Sequence, residues 1–318
     1  MPAISASAPG KIILFGEHAV VYGYPAIAVP VSQVQAKAIV KANPLGAPGA
    51  VHIEAPNVGL SAELADLPAD DPLARAIHCV LEALDIPRPP ALNLRISSTI
   101  PLAAGLGSGA AVSVAVIRAL AEFLGQPMQN EQISTLAYEV EKIHHGTPSG
   151  IDNTVIAHAR PVYFVRGGPI ETFQIRRPFR LVIADSGVPS PTAQAVTHVR
   201  QAREADPERY LAIFEAVGEI VRAARTAIEA GDPEALGPLM DQNHSLLREM
   251  GVSSSTLDRL VETARQAGAL GAKLSGGGRG GNIIALVDED RLQPVSAALD
   301  RAGSARTFST LVEGRSRS

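Results

Sequence analysis

Apolar positions first recur along the chain in short β-rich runs. They are Ile12-Ile13-Leu14-Phe15, Ala26 to Val40 with a break at Pro30, Val51-His52-Ile53, and Leu92-Asn93-Leu94-Arg95-Ile96. Turn residues separate these runs, and the pattern predicts strands of a largely antiparallel sheet. Between them, Leu73, Ile77, Val80, Leu81 and Leu84 repeat at helical spacing behind Asp70-Asp71, which predicts a helix from Pro72 to Leu84. Two more helices follow. Ala110 to Leu124 is apolar on most sides and should be buried, while Asn130 to His144 gathers Ile133, Leu136, Ala137 and Val140 on one face. A Pro/Gly/Ser loop then leads to Asp152, at the head of an expected apolar strand.

Strands are predicted at Pro161 to Val165, Ile170 to Ile175 and Arg180 to Ala184, after which the chain turns to long helical stretches from Thr192 to Glu249. That shift puts a domain boundary near Asp185, with one domain over 1–185 and a second over 186–318. The rest reads as helix Ser255 to Gly268, strand Ala272 to Ser275, a glycine loop, strand Asn282 to Val287, helix Arg291 to Ala302 and strand Ala305 to Val312. Runs of strands followed by runs of helices make the chain α+β. The tail from Arg315 to Ser318 is expected to fray.

Composition narrows the function classes. A net charge of −4 supplies no basic field for nucleic acid, and with 4% aromatics and no Trp there are few platforms on which bases could stack. Cys79 is the only cysteine, so neither an intrachain disulfide nor a cysteine zinc cluster can form. No apolar run approaches the ~20 residues that span a bilayer, and no basic patch followed by an apolar stretch opens the chain. A soluble, unprocessed cytoplasmic protein is the expectation, with a small molecule rather than nucleic acid or membrane as partner. Glycine is the informative excess: 28 residues, against roughly 22 at average usage. Eight of them, Gly105, Gly107, Gly109, Gly276, Gly277, Gly278, Gly280 and Gly281, fall in two loops.

The first loop, Pro101-Leu102-Ala103-Ala104-Gly105-Leu106-Gly107-Ser108-Gly109-Ala110-Ala111, follows a predicted strand and opens the buried helix. Glycines allow close backbone approach, and unpaired N–H groups at a helix start favour an anion such as phosphate. Ser108 adds a hydroxyl suited to phosphate or magnesium. The same glycines could instead only tighten the strand-to-helix turn. Neither the P-loop nor the dinucleotide spacing is present. The second loop, Lys273 to Asn282, holds five glycines in ten positions, more than a hairpin requires.

Two polar segments complete the candidate chemistry. In Gly10-Lys11-Ile12-Ile13-Leu14-Phe15-Gly16-Glu17-His18, a charged pair lies between apolar runs and must be solvated or partnered. In the stretch from Glu141 to Asn153, Asp152 could orient or deprotonate a hydroxyl and Glu141 could hold a metal. Taken singly, these two would be a turn former and a solvated helix residue. The adjacent His144 and His145 point in different directions on a helix and make a poor metal pair.

In this order, the segments resemble the GHMP family of small-molecule kinases over nearly the whole chain. Gly16-Glu17-His18-Ala19-Val20-Val21-Tyr22-Gly23, with His145-Gly146-Thr147-Pro148-Ser149-Gly150-Ile151-Asp152-Asn153, is most similar to the branch acting on mevalonate. The resemblance implies a two-domain fold: an N-terminal domain with a left-handed β-α-β unit and a ferredoxin-like C-terminal domain, with the site in the cleft. It implies transfer of the ATP γ-phosphoryl group to the primary hydroxyl of mevalonate. Asp152 would be catalytic beside Lys11, Glu141 and Ser108 would hold Mg²⁺, and residues 101–111 would cradle the phosphates. Glu17, His18 and Thr192 would face the acceptor, and Ser275, Gly276, Gly277, Gly278, Gly280 and Gly281 would close the site. Thr192 and Ser190 also suit helix capping. A homodimer is a further implication. Three positions, in the two glycine loops, depart from the pattern: Gly109 replaces a second serine, and Arg279 and Asn282 stand where glycine and cysteine are usual. Arg279 could reach a phosphate or point into solvent. Another GHMP kinase, such as one acting on phosphomevalonate, or a non-catalytic nucleotide or metabolite sensor are the alternative readings.

Overall fold

The computed structural model describes residues 3–101, 104–145, 148–169, 171–190 and 192–314. Leu102 and Ala103 of the first glycine loop lie outside the described residues, as do Gly146 and Thr147, Ile170 at the head of an expected strand, Pro191 and the tail from Arg315. So do the side chains of His144 and His145. The chain forms two compact units, one of Met1–Gly10, Val34–Pro101 and Gly107–Ala159, the other of Lys11–Gln33, Leu102–Leu106 and Arg160–Ser318.

The first stretch of chain runs β1 (Ile4–Phe15), β2 (Ala26–Ala42), β3 (Val51–Ala55), β4 (Leu60–Glu63), α1 (Pro72–Ala83), β5 (Leu92–Ser98), α2 (Ser108–Phe123), α3 (Asn130–His145) and α4 (Ile151–His158). In the first unit, β5 pairs antiparallel with the second half of β2 and parallel with β3, which pairs antiparallel with β4. The parallel pair makes a β-α-β crossover, with α1 in the connection. Leu92, Leu94 and Ile96 of β5 are buried and Asn93 and Arg95 exposed, the alternation of a sheet with one covered face. Asp71 caps α1, accepting from Leu73 N at 2.8 Å and Ala74 N at 3.0 Å, and Pro72 stands at its first position. α2 is the buried helix, with Ala111, Ala115, Val116, Ile117 and Ala121 fully covered, and α1, α3 and α4 pack against it.

Two expectations fail here. The chain after Asp152 is helix α4, not strand. Its apolar residues Ile151, Val155 and Ile156 follow helical spacing, Gly150 turns the chain at φ 90°, and Thr154 Oγ1 donates to Gly150 O at 2.7 Å. Pro30 does not break β2. It lies between the residues paired with β6 (26–28) and those paired with β5 (36–42), outside both of those ladders.

The chain continues through β6 (Val162–Phe164), β7 (Glu171–Thr172), β8 (Phe179–Asp185), α5 (Thr192–Ala205), α6 (Pro207–Ala230), α7 (Leu236–Glu249), α8 (Ser255–Gln266), β9 (Gly271–Ser275), β10 (Asn282–Val287), α9 (Leu292–Arg301) and β11 (Arg306–Val312). In the second unit, β6 pairs with the start of β2 and with β7. The four later strands form an antiparallel sheet ordered β11-β8-β10-β9. Connected β-α-β-β-α-β, this is the expected ferredoxin-like arrangement. The 3-10 turn Ala19–Tyr22 is held by α6, where the Tyr22 ring stacks on Phe214 at 4.6 Å. Of the described residues, no helix is long and apolar enough to cross a membrane.

Candidate active site

In the first unit, three helices carry the expected phosphate, metal and catalytic residues. Gly107 turns into α2 with φ 71°, and no side chain caps the helix, so Ser108 and Gly109 open α2 without a competing side-chain acceptor at its N–H groups. Ala110 and Ala111 are buried in the first turn of α2. Pro101 precedes the loop. Glu141 is buried on α3, and Asp152 sits half-buried in the first turn of α4. α2, α3 and α4 pack together. Asn153, absent from the sequence-based candidates, anchors that first turn: its Nδ2 donates to Ser134 O at 3.0 Å and Ser134 Oγ at 2.9 Å.

In the second unit, the opening segment and the two glycine loops come together. Lys11 is buried and its N–H donates to Leu106 O at 3.0 Å. Ser275 Oγ donates to Ile13 O at 2.8 Å, and Asn282 Nδ2 donates to Ala104 O. A Cβ on Gly281 would lie 3.3 Å from Ala104 O, and one on Gly276 3.9 Å from Gly105 O. Asn282 therefore links the two loops by hydrogen bonding, a contact a cysteine at that place would make only weakly.

Glu17 and His18 do not face water. Glu17 is 1% and His18 6% exposed. The Glu17 carboxylate is met by the Lys273 ammonium of β9, which also donates to Leu274 O at 2.7 Å. Burial pushes the Glu17 carboxyl up and the Lys273 ammonium down, and each opposes the shift of the other. Lys11 acts on Glu17 as a lesser charge than Lys273. Lys273 was not among the sequence-based candidates. A lysine inside the apolar run Gly271–Ser275 is the signal that could have found it, since a buried ammonium needs a partner.

His18 Nε2 lies 3.0 Å from Gly277 O, so Nε2 carries the proton and Nδ1 is left to accept. Burial pulls the His18 pKa down to about 4. The bond to Gly277 opposes the fall, and Arg279 and His198 add to it. The imidazole is therefore neutral near pH 7. Thr192 opens α5, and its Oγ1 would lie 2.9 Å from a Cβ on Gly277. Ser190 Oγ donates to Gly278 O at 3.0 Å, which ties it to the closing loop. A Cβ on Gly278 would meet Val252 O at 2.0 Å and one on Gly280 Val188 O at 2.4 Å, so the closing loop is glycine because backbone lies against it.

The family model for the GHMP kinases N terminal domain matches residues 72–159, and that for the GHMP kinases C terminal domain matches 224–305. The chain belongs to the GHMP kinase family. It is 36% identical to the mevalonate kinase of Pyrococcus furiosus over 94% of this chain and 93% of that protein. It is 34% identical to the mevalonate kinase of Aeropyrum pernix over 98% and 97%. Among solved structures, the L. major mevalonate kinase in complex with R-mevalonate has a TM-score of 0.86 at 30% identity, covering 98% of this chain and 97% of that one.

Proposed function

We propose that this protein is an ATP-dependent kinase that phosphorylates the C5 hydroxyl of (R)-mevalonate, giving 5-phosphomevalonate. The observation that carries the reading is near-full-length similarity to mevalonate kinases, one of them solved with R-mevalonate. The buried pair Glu17 and His18 supports it. The neutral His18 imidazole, with Nδ1 free of the Gly277 bond, suits a hydroxyl donor on the acceptor.

In this reading, residues 101–111 bind the nucleotide phosphates through backbone N–H groups and the Ser108 hydroxyl. Asp152 accepts or orients the proton of the acceptor hydroxyl. Lys11 offsets the negative charge that develops during transfer. Thr192 and the loop of Ser275, Gly276, Gly277, Gly278, Gly280 and Gly281 border the acceptor. Most of the acceleration is positional and electrostatic, as phosphoryl transfer requires little covalent participation from the protein. Glu141 and Ser108 are the residues that would hold Mg²⁺. One carboxylate and one hydroxyl are hard oxygen donors, a set that fits an ion completing its shell with nucleotide phosphates. Bound there, magnesium would neutralise phosphate oxygens.

The division at 1–185 and 186–318 is proposed with the function. It is supported by the composition shift near Asp185 and by the matched segments 72–159 and 224–305 on either side of it. A cytoplasmic location and a homodimer are proposed on the same family reading. The test of function is ADP release by the purified protein with Mg-ATP and mevalonate. Turnover on mevalonate supports the proposal. No turnover on it, with turnover on phosphomevalonate or another alcohol, overturns it.

A further inference from the structure

Arg279 is the one residue between Gly276 and Gly281 that is not glycine, and it stands in the left-handed region at φ 61°. Its N–H donates to Val252 O at 2.7 Å, which fixes the backbone there. An arginine held in this conformation is strained relative to glycine. It lines an open hollow of about 360 Å³ together with Ala193, Gln194, Thr197, His198 and Gln201 of α5. None of these six lining residues is acidic, and the Arg279 guanidinium has no hydrogen bond or ion pair among the described residues. The hollow thus offers one fixed positive charge and four side chains able to donate hydrogen bonds.

The hollow adjoins the acceptor residues. Both Arg279 and His198 act electrostatically on His18, and the Gly277 carbonyl bonded by His18 is two residues from Arg279. Resting on the reading above, we infer that Arg279 and the α5 face form the subsite that binds the carboxylate of the acceptor. A guanidinium presents two parallel N–H groups matched to a planar carboxylate, and Gln194, Gln201 and Thr197 can fill remaining lone pairs. The charge count favours this ligand over the nucleotide. A lone arginine balances a monoanion, whereas a triphosphate calls for several cations or a metal. The chemistry also explains why a strained arginine occupies a position where glycine would relax the backbone.

The test compares wild type with Arg279→Gly and Arg279→Lys, using mevalonate and its uncharged amide as acceptors. Arg279→Gly relieves the backbone, so loss of folding does not obscure the result. The expected outcome is a mevalonate KM raised roughly tenfold to a hundredfold in Arg279→Gly, with the KM for ATP changed less than about twofold. The preference of wild type for acid over amide should collapse in that variant and survive in part in Arg279→Lys. An unchanged mevalonate KM with the acid preference intact overturns the inference. So does a rise confined to the KM for ATP, which would give Arg279 to the phosphates, or an equal loss on acid and amide, which would make its role structural. Turnover by wild type separates this inference from the proposed function: wild type inactive on mevalonate removes both, whereas active wild type with an indifferent Arg279→Gly removes this one alone.

Discussion

Lys273 of β9 and Glu17 of the opening segment, 256 residues apart in the chain, bury their charges against each other in the second unit with both side chains fully covered. Among the described residues Glu17 Oε2 has no hydrogen-bond partner, and Lys273 is the main group that opposes the burial of the carboxylate. Removing one member strands a buried charge, which typically costs ~3–5 kcal/mol, whereas replacing both with neutral groups costs far less. Lys273→Met alone should lower stability by about that amount in urea denaturation, and Glu17→Gln with Lys273→Met should recover most of it. Additive single effects, with no coupling in the double-mutant cycle, would dismiss the pair as a unit.

The same pair marks where sequence legibility ends. Locally encoded features were readable: the Asp71-Pro72 helix start, the alternation of β5, the all-round apolar α2 and the two glycine loops. α4 misled because Val155 and Ile156 favour strands, while the signals that decide for helix are the turn at Gly150 and the Thr154 back-bond. Glu17 was legible as a residue needing a partner, yet nothing local points 256 residues ahead to Lys273. Asn153 and Asn282 share that history. Each is a buried amide beside apolar chain, and each finds its acceptor only through tertiary packing. The order of the four strands in the second sheet came from family resemblance, since pairing order leaves no periodic trace in sequence.

Glycine positions should divide by what lies against them. At Gly278 a side chain meets both the strain of φ 78° and the Val252 carbonyl 2.0 Å from its Cβ. At Gly59, with φ 67°, nothing lies within 4 Å. Gly59→Ala should cost only the left-handed penalty of ~1–2 kcal/mol, and Gly278→Ala should add an overpacking cost of ~1–3 kcal/mol. Thermal unfolding of the two variants checks the difference. Equal losses would mean that the closing loop yields freely.

Stability should fall on mild acidification. Burial lowers the pKa of both His18 and His244 to about 4, opposed at His244 by Asp258, 3.2 Å from its Nε2. Unfolded histidine titrates near 6.5, so between the two values the unfolded chain binds more protons and stability rises with pH. The contribution is complete above about 6.5 and is lost as pH falls toward 4, on the order of 3 kcal/mol per histidine. Unfolding midpoints from pH 7 to pH 4 should drop, and His244→Asn should flatten the slope whatever it does to the absolute value. An unaltered slope in that variant would remove His244 from the acid response.

Asp152 should matter to the rate far more than to nucleotide binding. It is held in the first turn of α4, a turn that Asn153 ties to Ser134 by two hydrogen bonds. Asp152→Asn keeps size and helical context and removes only the negative charge and the proton acceptor. If the carboxylate takes or orients the hydroxyl proton as transfer proceeds, the loss falls on the transition state and appears in kcat, by roughly a hundredfold to ten-thousandfold. Affinity for ATP should stay within a few fold, since the proposed reading assigns phosphate binding to backbone N–H groups at the start of α2. Steady-state kinetics with both substrates varied makes the comparison. A kcat near that of wild type would exclude Asp152 from the chemical step, and a loss confined to the KM for ATP would move it to the nucleotide.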